Sequence, residues 1–194
     1  MVAAGDTQVS NANVANLITV GRIVLAPLFL WLVLLDGGQD GWWRLLAGAQ
    51  FILAISTDGL DGALARKRNL ITTSGILLDP IADKVLIGAA LVALALVGDL
   101  PWWVVWVILA RELGITIFRF IALRDRVIPA SRGGKLKTIL QAVAISFWLV
   151  PTWVVVGEWV FVLNWALMGV AIAITLVTGV EYLWKALRAP KAKA

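Results

Sequence analysis

Four aspartates stand close together in two short runs, Asp58-Gly59-Leu60-Asp61-Gly62-Ala63-Leu64-Ala65-Arg66 and Gly75-Ile76-Leu77-Leu78-Asp79-Pro80-Ile81-Ala82-Asp83. The first pair is spaced by three and the second by four, so on helices each pair occupies one face. Four ionised carboxylates this close repel one another unless positive charge sits among them, and two divalent cations would neutralise all four. The chain has neither histidine nor cysteine. Imidazole acid/base work, thiolate nucleophiles, disulfides and the usual zinc or haem ligands are therefore excluded. Oxygen-only ligands favour Mg²⁺ or Mn²⁺. Gly62 and Ala65 allow a ligand or a neighbouring backbone to come close, and Arg66 presents a fork suited to phosphate oxygens. A single aspartate at a helix end is ordinarily a cap, and Pro80 suits an ordinary first turn. Four at these spacings inside apolar sequence point to a functional site.

The elements that carry these residues are apolar. Of 194 residues, 61% are hydrophobic and 15% charged, which sets the chain apart from a soluble domain of this length. The expectation is an all-α integral membrane protein with six transmembrane helices: Leu17–Leu35, Trp42–Arg66, Ile76–Gly98, Pro101–Leu123, Leu136–Val156 and Trp159–Leu187. Spans of ~20 residues leave room for one domain, residues 17–187, between an N-terminal segment (1–16) and a basic tail (188–194). At ~1.5 Å per residue, Asp58 lies about 24 Å along the second span from Trp42, near one boundary of a core ~30 Å thick. The third span starts on that side, so all four aspartates converge at one depth.

Orientation follows from charge. Lys67, Arg68, Arg124, Arg126, Arg132, Lys135, Arg188, Lys191 and Lys193 all flank spans at this same end, whereas the connections at Asp36–Gly41, Asp99–Leu100 and Gly157–Glu158 are short and acidic. The basic end, both termini and the aspartates are expected in the cytoplasm. Trp42, Trp43, Trp102, Trp103, Trp153 and Trp159 mark the opposite interface. The net charge of +5 is explained by membrane lipid head groups and orientation, and nucleic acid is not an expected partner. The polar start lacks the basic residues of a signal peptide, so the first span is expected in the mature protein. A divalent-cation transporter would continue polar residues across the bilayer, but Ile87–Val97 is wholly apolar, and no internal repeat is visible.

The run from Asp58 to Asp83 resembles the signature of the CDP-alcohol phosphotransferases, Asp-x-x-Asp-Gly-x-x-Ala-Arg, eight residues, then Gly-x-x-x-Asp-x-x-x-Asp, at every fixed position. Further stretches are similar to bacterial members whose acceptor is sn-glycerol 3-phosphate: Asn16-Leu17-Ile18-Thr19 leading into Arg22, Leu78 to Lys84, Arg111-Glu112, and Gly134 to Thr138. The resemblance covers about residues 14 to 185. It implies that fold, a bacterial cytoplasmic (inner) membrane location, a homodimer, and transfer of a phosphatidyl group from CDP-diacylglycerol to sn-glycerol 3-phosphate with release of CMP. It further implies that Asp58, Asp61 and Asp79 hold one metal ion and Asp58, Asp79 and Asp83 surround a second. Asp83 would also be the proton acceptor, with Asn16, Thr19, Gly62, Arg66, Thr72 and Gly75 on the CDP-diacylglycerol side.

The acceptor carries its own phosphate, so cations are needed beside the metals. Arg119, Lys135 and Lys137 are candidates near the cytoplasmic boundary. Arg111 is a fourth, deeper in the membrane, where a buried structural partner is the alternative reading. Arg111 and Glu112 are adjacent and point to different faces, so a pairing between them is not assumed. Lys84 has two readings, a substrate-binding cation or a lysine snorkelling from a helix start, and the second is favoured. Phosphatidylglycerol and inositol phosphate are the rival acceptors within the family. Chelation of divalent cations should abolish CMP release, and Mg²⁺ or Mn²⁺ should restore it. Full activity after exhaustive chelation would remove the basis for the metal site.

Overall fold

The computed structural model describes residues 14–67, 73–122 and 132–188, with side chains described for 19–57, 81–118, 134 and 136–188. The described residues form helices only: α1 (Val14–Asp36), α2 (Trp42–Lys67), α3 (Thr73–Leu96), α4 (Trp102–Ala122), α5 (Arg132–Leu149), α6 (Trp153–Val156) and α7 (Val160–Arg188). The long helices match the six expected segments to within a few residues at most ends. The fifth differs, because it stops at Leu149 rather than continuing to Val156. Pro151 has no N–H and disfavours helical backbone at the residue before it, so the chain breaks there. A single turn, α6, follows, and Gly157 at φ 105° redirects the chain into α7.

α1 and α7 contain stretches long and apolar enough to cross a membrane, Thr19–Asp36 and Val160–Arg188, and the apolar part of α5, Leu136–Leu149, is shorter. α3 is the central helix, packed by α1, α4, α5 and α2. Ala90, Leu91, Ala93 and Leu94 are all fully buried, which four nearly consecutive positions can be only if neighbours surround the helix. Phe29 and Val33 of α1, Phe51 of α2, Val104 and Ile108 of α4, Ile145 and Leu149 of α5, and Met168 of α7 complete the core. Large apolar side chains also cover the outside, among them Val24, Trp31, Leu53, Trp106, Val162, Val177 and Val180. A surface apolar on this scale suits a solvent of lipid tails.

The acidic connections meet at one end, around Arg44. Only 1% exposed, this arginine of α2 reaches Asp99 at 2.5 Å and Asp40 at 3.2 Å. It also donates to the carbonyls of Trp148 at 2.7 Å and Leu149 at 3.2 Å. Trp153 lies over its guanidinium, with the ring centroid 5.0 Å away, and donates its indole N–H to Asp40 at 2.8 Å. Trp153 therefore serves a buried cation, unlike Trp42 and Trp159, which are widely exposed. Burial pushes the Asp99 carboxyl above its usual range while Arg44 pulls it back. One side chain thus ties together the α1–α2 and α3–α4 connections and the end of α5. Arg44→Met would leave two part-buried carboxylates and two carbonyls without their cation, so a stability loss of ~2 to 4 kcal/mol is expected. Thermal unfolding in detergent measures it, and an unchanged midpoint would show that the cluster does not hold this end.

Candidate active site

The best-described chemistry lies at the other end of α3. Asp83 stands one turn after Asp79 on this helix, and its Oδ1 meets the Arg22 guanidinium of α1 at 3.1 Å. Arg22 is 3% exposed. A cation that deep in an apolar helix needs a counter-charge, and Asp83 supplies one. Thr19, one turn before Arg22 on the same helix, is also buried.

Beside Asp83 opens a cavity of about 250 Å³ between α3, α4 and α5. Lys84 joins Asp83 on the α3 wall, Arg111, Glu112 and Thr116 line it from α4, and Lys137, Thr138 and Gln141 from α5, with Ile87 and Leu109 as apolar lining. Glu112 binds both cations: its Oε1 accepts from Arg111 at 3.0 Å and from Lys137. A pairing of the adjacent Arg111 and Glu112 is not assumed from sequence, and the structure shows that they pair. Arg111 is turned toward α7, where Nε donates to the Thr175 carbonyl at 3.1 Å and Nη2 to Thr178 Oγ1 at 3.0 Å. The length of the side chain lets the remaining nitrogen curl back to Glu112. Gly179 makes room for this, since a Cβ there would come within 3.2 Å of Arg111 Cγ. Gln141 continues the network by donating to Thr175 Oγ1 at 2.8 Å.

Of the residues singled out in the sequence, Asp83, Arg111 and Lys137 are thus brought to one cavity. Lys137 is 5% exposed and stands on the wall of this cavity, not on an open surface. Lys84, read as snorkelling, stands on the cavity wall. The side chains of Asn16, Asp58, Asp61, Gly62, Arg66, Gly75, Asp79, Arg119 and Lys135 lie outside the described residues, as does the whole of Thr72. Backbone helix runs unbroken through Asp58 and Asp61 in α2 and through Asp79 and Asp83 in α3, and these two helices pack together. An oxygen-only donor set on two packed helices fits a hard divalent cation. Sequence reasoning did not name Arg22, Glu112 or Gln141 as site residues. The available signal was a polar or charged residue inside an apolar span.

The family model for CDP-alcohol phosphatidyltransferases matches residues 12–177. The chain belongs to this family. It is 47% identical over 177 residues to a Mycobacterium tuberculosis protein named "Probable phosphatidylglycerophosphate synthase", covering 91% of this chain and 83% of the relative. To the CDP-diacylglycerol–glycerol-3-phosphate 3-phosphatidyltransferase of Bacillus subtilis it is 38% identical, covering 91% and 97%. A CMP-forming cardiolipin synthase of Streptomyces coelicolor is 43% identical, but over only 52% of this chain and 46% of its own length. In this transferase, the ionic network at the cavity joins α4, α5 and α7. Glu112→Gln should leave two buried cations without their shared counter-charge. A stability loss on the order of 3 kcal/mol is expected by thermal unfolding in detergent. An unchanged midpoint would mean the network contributes nothing to holding the bundle.

Proposed function

We propose that the chain transfers the phosphatidyl group of CDP-diacylglycerol to sn-glycerol 3-phosphate, giving phosphatidylglycerophosphate and CMP in phospholipid synthesis. The observation that carries this reading is the cavity beside Asp83, of about 250 Å³ and lined by Arg111 and Lys137. A space below the usual range for drug-sized ligands, with two cations on its wall, suits a small phosphate ester better than a second phospholipid. The names of the full-length relatives agree with it.

Asp58, Asp61, Asp79 and Asp83 would hold two Mg²⁺ or Mn²⁺ ions, which supply charge neutralisation at a pyrophosphate. The acceptor's hydroxyl oxygen attacks the phosphorus that bears the diacylglycerol, the bond from that phosphorus to the bridging oxygen breaks, and CMP leaves. Asp83 takes the hydroxyl proton, and Arg22 beside it fixes the position of the carboxylate. Arg111 and Lys137 hold the acceptor's phosphate, with Arg119 and Lys135 as further cations at the cytoplasmic side. Asn16, Thr19, Gly62, Arg66, Thr72 and Gly75 serve the CDP-diacylglycerol. In this reading α1–α5 and α7 are six membrane spans of a homodimer in a bacterial cytoplasmic membrane, with both termini and the site facing the cytoplasm.

The test is CMP release by purified protein from CDP-diacylglycerol with sn-glycerol 3-phosphate, phosphatidylglycerol or inositol phosphate as acceptor. Turnover should be fastest with sn-glycerol 3-phosphate. Faster turnover with phosphatidylglycerol would transfer the chain to the cardiolipin-forming branch. Asp83→Asn should lower turnover by ~10²- to 10⁴-fold while CDP-diacylglycerol still binds in calorimetry. Near wild-type turnover in that variant would place the base elsewhere.

A further inference from the structure

One polar side chain on the cavity wall, that of Gln141, keeps a buried atom without a hydrogen-bond partner among the described residues. Gln141 stands one turn beyond Lys137 on α5, lines the cavity and is 1% exposed. Its amide orientation follows from its partners. Thr175 gives its hydroxyl hydrogen to the Ala171 carbonyl at 2.6 Å, so its oxygen is left to accept the Gln141 N–H at 2.8 Å. The amide nitrogen is thereby committed to α7. The carbonyl oxygen, Oε1, is buried with no hydrogen-bond partner in the protein. A buried amide oxygen left unpartnered is uncommon in packed interiors and calls for a reason. Among the described residues, the other buried side-chain atoms without a hydrogen-bond partner that bear comparison belong to Asp36, Trp148, Thr152, Asn164 and Tyr182, none of which lines this cavity.

We propose that Gln141 Oε1 accepts a hydrogen bond from the acceptor's non-reacting hydroxyl and so makes the site selective for phosphorylated polyols. The proposal rests on the acceptor reading above and adds a third point to it. Asp83 marks the attacking hydroxyl, Arg111 and Lys137 mark the phosphate, and Gln141 reads the hydroxyl on the carbon between them. An acceptor lacking that hydroxyl would leave Oε1 buried and unpaired, which is the kind of mismatch a polar site rejects strongly. Gln141 is a specificity residue in this scheme and takes no proton.

The test compares kcat/KM for sn-glycerol 3-phosphate and for 1,3-propanediol monophosphate, which has the same chain without the middle hydroxyl. Wild-type protein should prefer the glycerol ester by ~10- to 100-fold. Gln141→Met keeps the side-chain length and removes the acceptor, and should bring the ratio to within about threefold of unity with KM for CDP-diacylglycerol little changed. A merely structural glutamine would move both acceptors alike and leave the ratio standing, which would overturn the proposal. The wild-type ratio alone decides should the variant fail to fold, because a value near unity is incompatible with a reading of that hydroxyl. Turnover with sn-glycerol 3-phosphate but no discrimination would sink the role of Gln141 alone. Absence of turnover with both esters, alongside turnover with a lipid acceptor, would sink the acceptor reading and this inference with it.

Discussion

In an apolar bundle a charge persists only where an opposite charge or a set of backbone carbonyls is built against it, and that constraint organises both ends of this molecule. Water inside the helices is too scarce to solvate Arg22, Arg44 or Lys137, so each is matched: Arg22 by Asp83, Arg44 by Asp99 and Asp40, and Lys137 by Glu112. Desolvating such groups costs several kcal/mol per ion before any attraction is counted. The arrangement is therefore a demanding way to hold helices together, and well-packed apolar residues would serve equally well for stability alone. Its distribution is informative. At the Arg44 end the charges are closed into a cluster with carbonyls and an aromatic ring, whereas at the Asp83 end they surround a cavity.

That contrast separates anchoring from chemistry. Arg44 has its hydrogen-bonding directions occupied by groups of the protein and ties three connections at one end. Arg111 is held just as firmly, by Thr175, Thr178 and Glu112, yet it also lines open space. A cation fixed by its neighbours and still facing a cavity is pre-organised for an anion, and little ordering remains to be done when one arrives. α7 contributes to the cavity almost entirely through this support, since Thr175, Thr178 and Gly179 position Arg111 and Gln141 from behind.

α3 connects the two ends. Ala90, Leu91, Ala93 and Leu94 in its second half are fully buried, so the other helices are registered against it. The same helix carries Asp83 and Lys84 near its middle and delivers the chain to Asp99 after its end. Small residues at its contacts allow close approach of neighbouring helices, which in lipid substitutes for a hydrophobic driving force between them.

The sequence by itself determined the helical segments and the family, because each rests on local periodicity or on a contiguous pattern. Pro151 shows where local reading fell short: hydropathy continued past it, but the missing N–H ended α5 two residues earlier. Only the tertiary structure decided that Arg22 meets Asp83, that Arg111 curls back to Glu112, and that Gln141 presents an unpartnered oxygen beside the cavity. Those outcomes depend on how far each helix is rotated about its axis against its neighbours and on which way long side chains are sent by packing. Neither quantity is encoded in spacing along one helix. A polar residue in an apolar span announces that a partner exists, and the fold alone says which one.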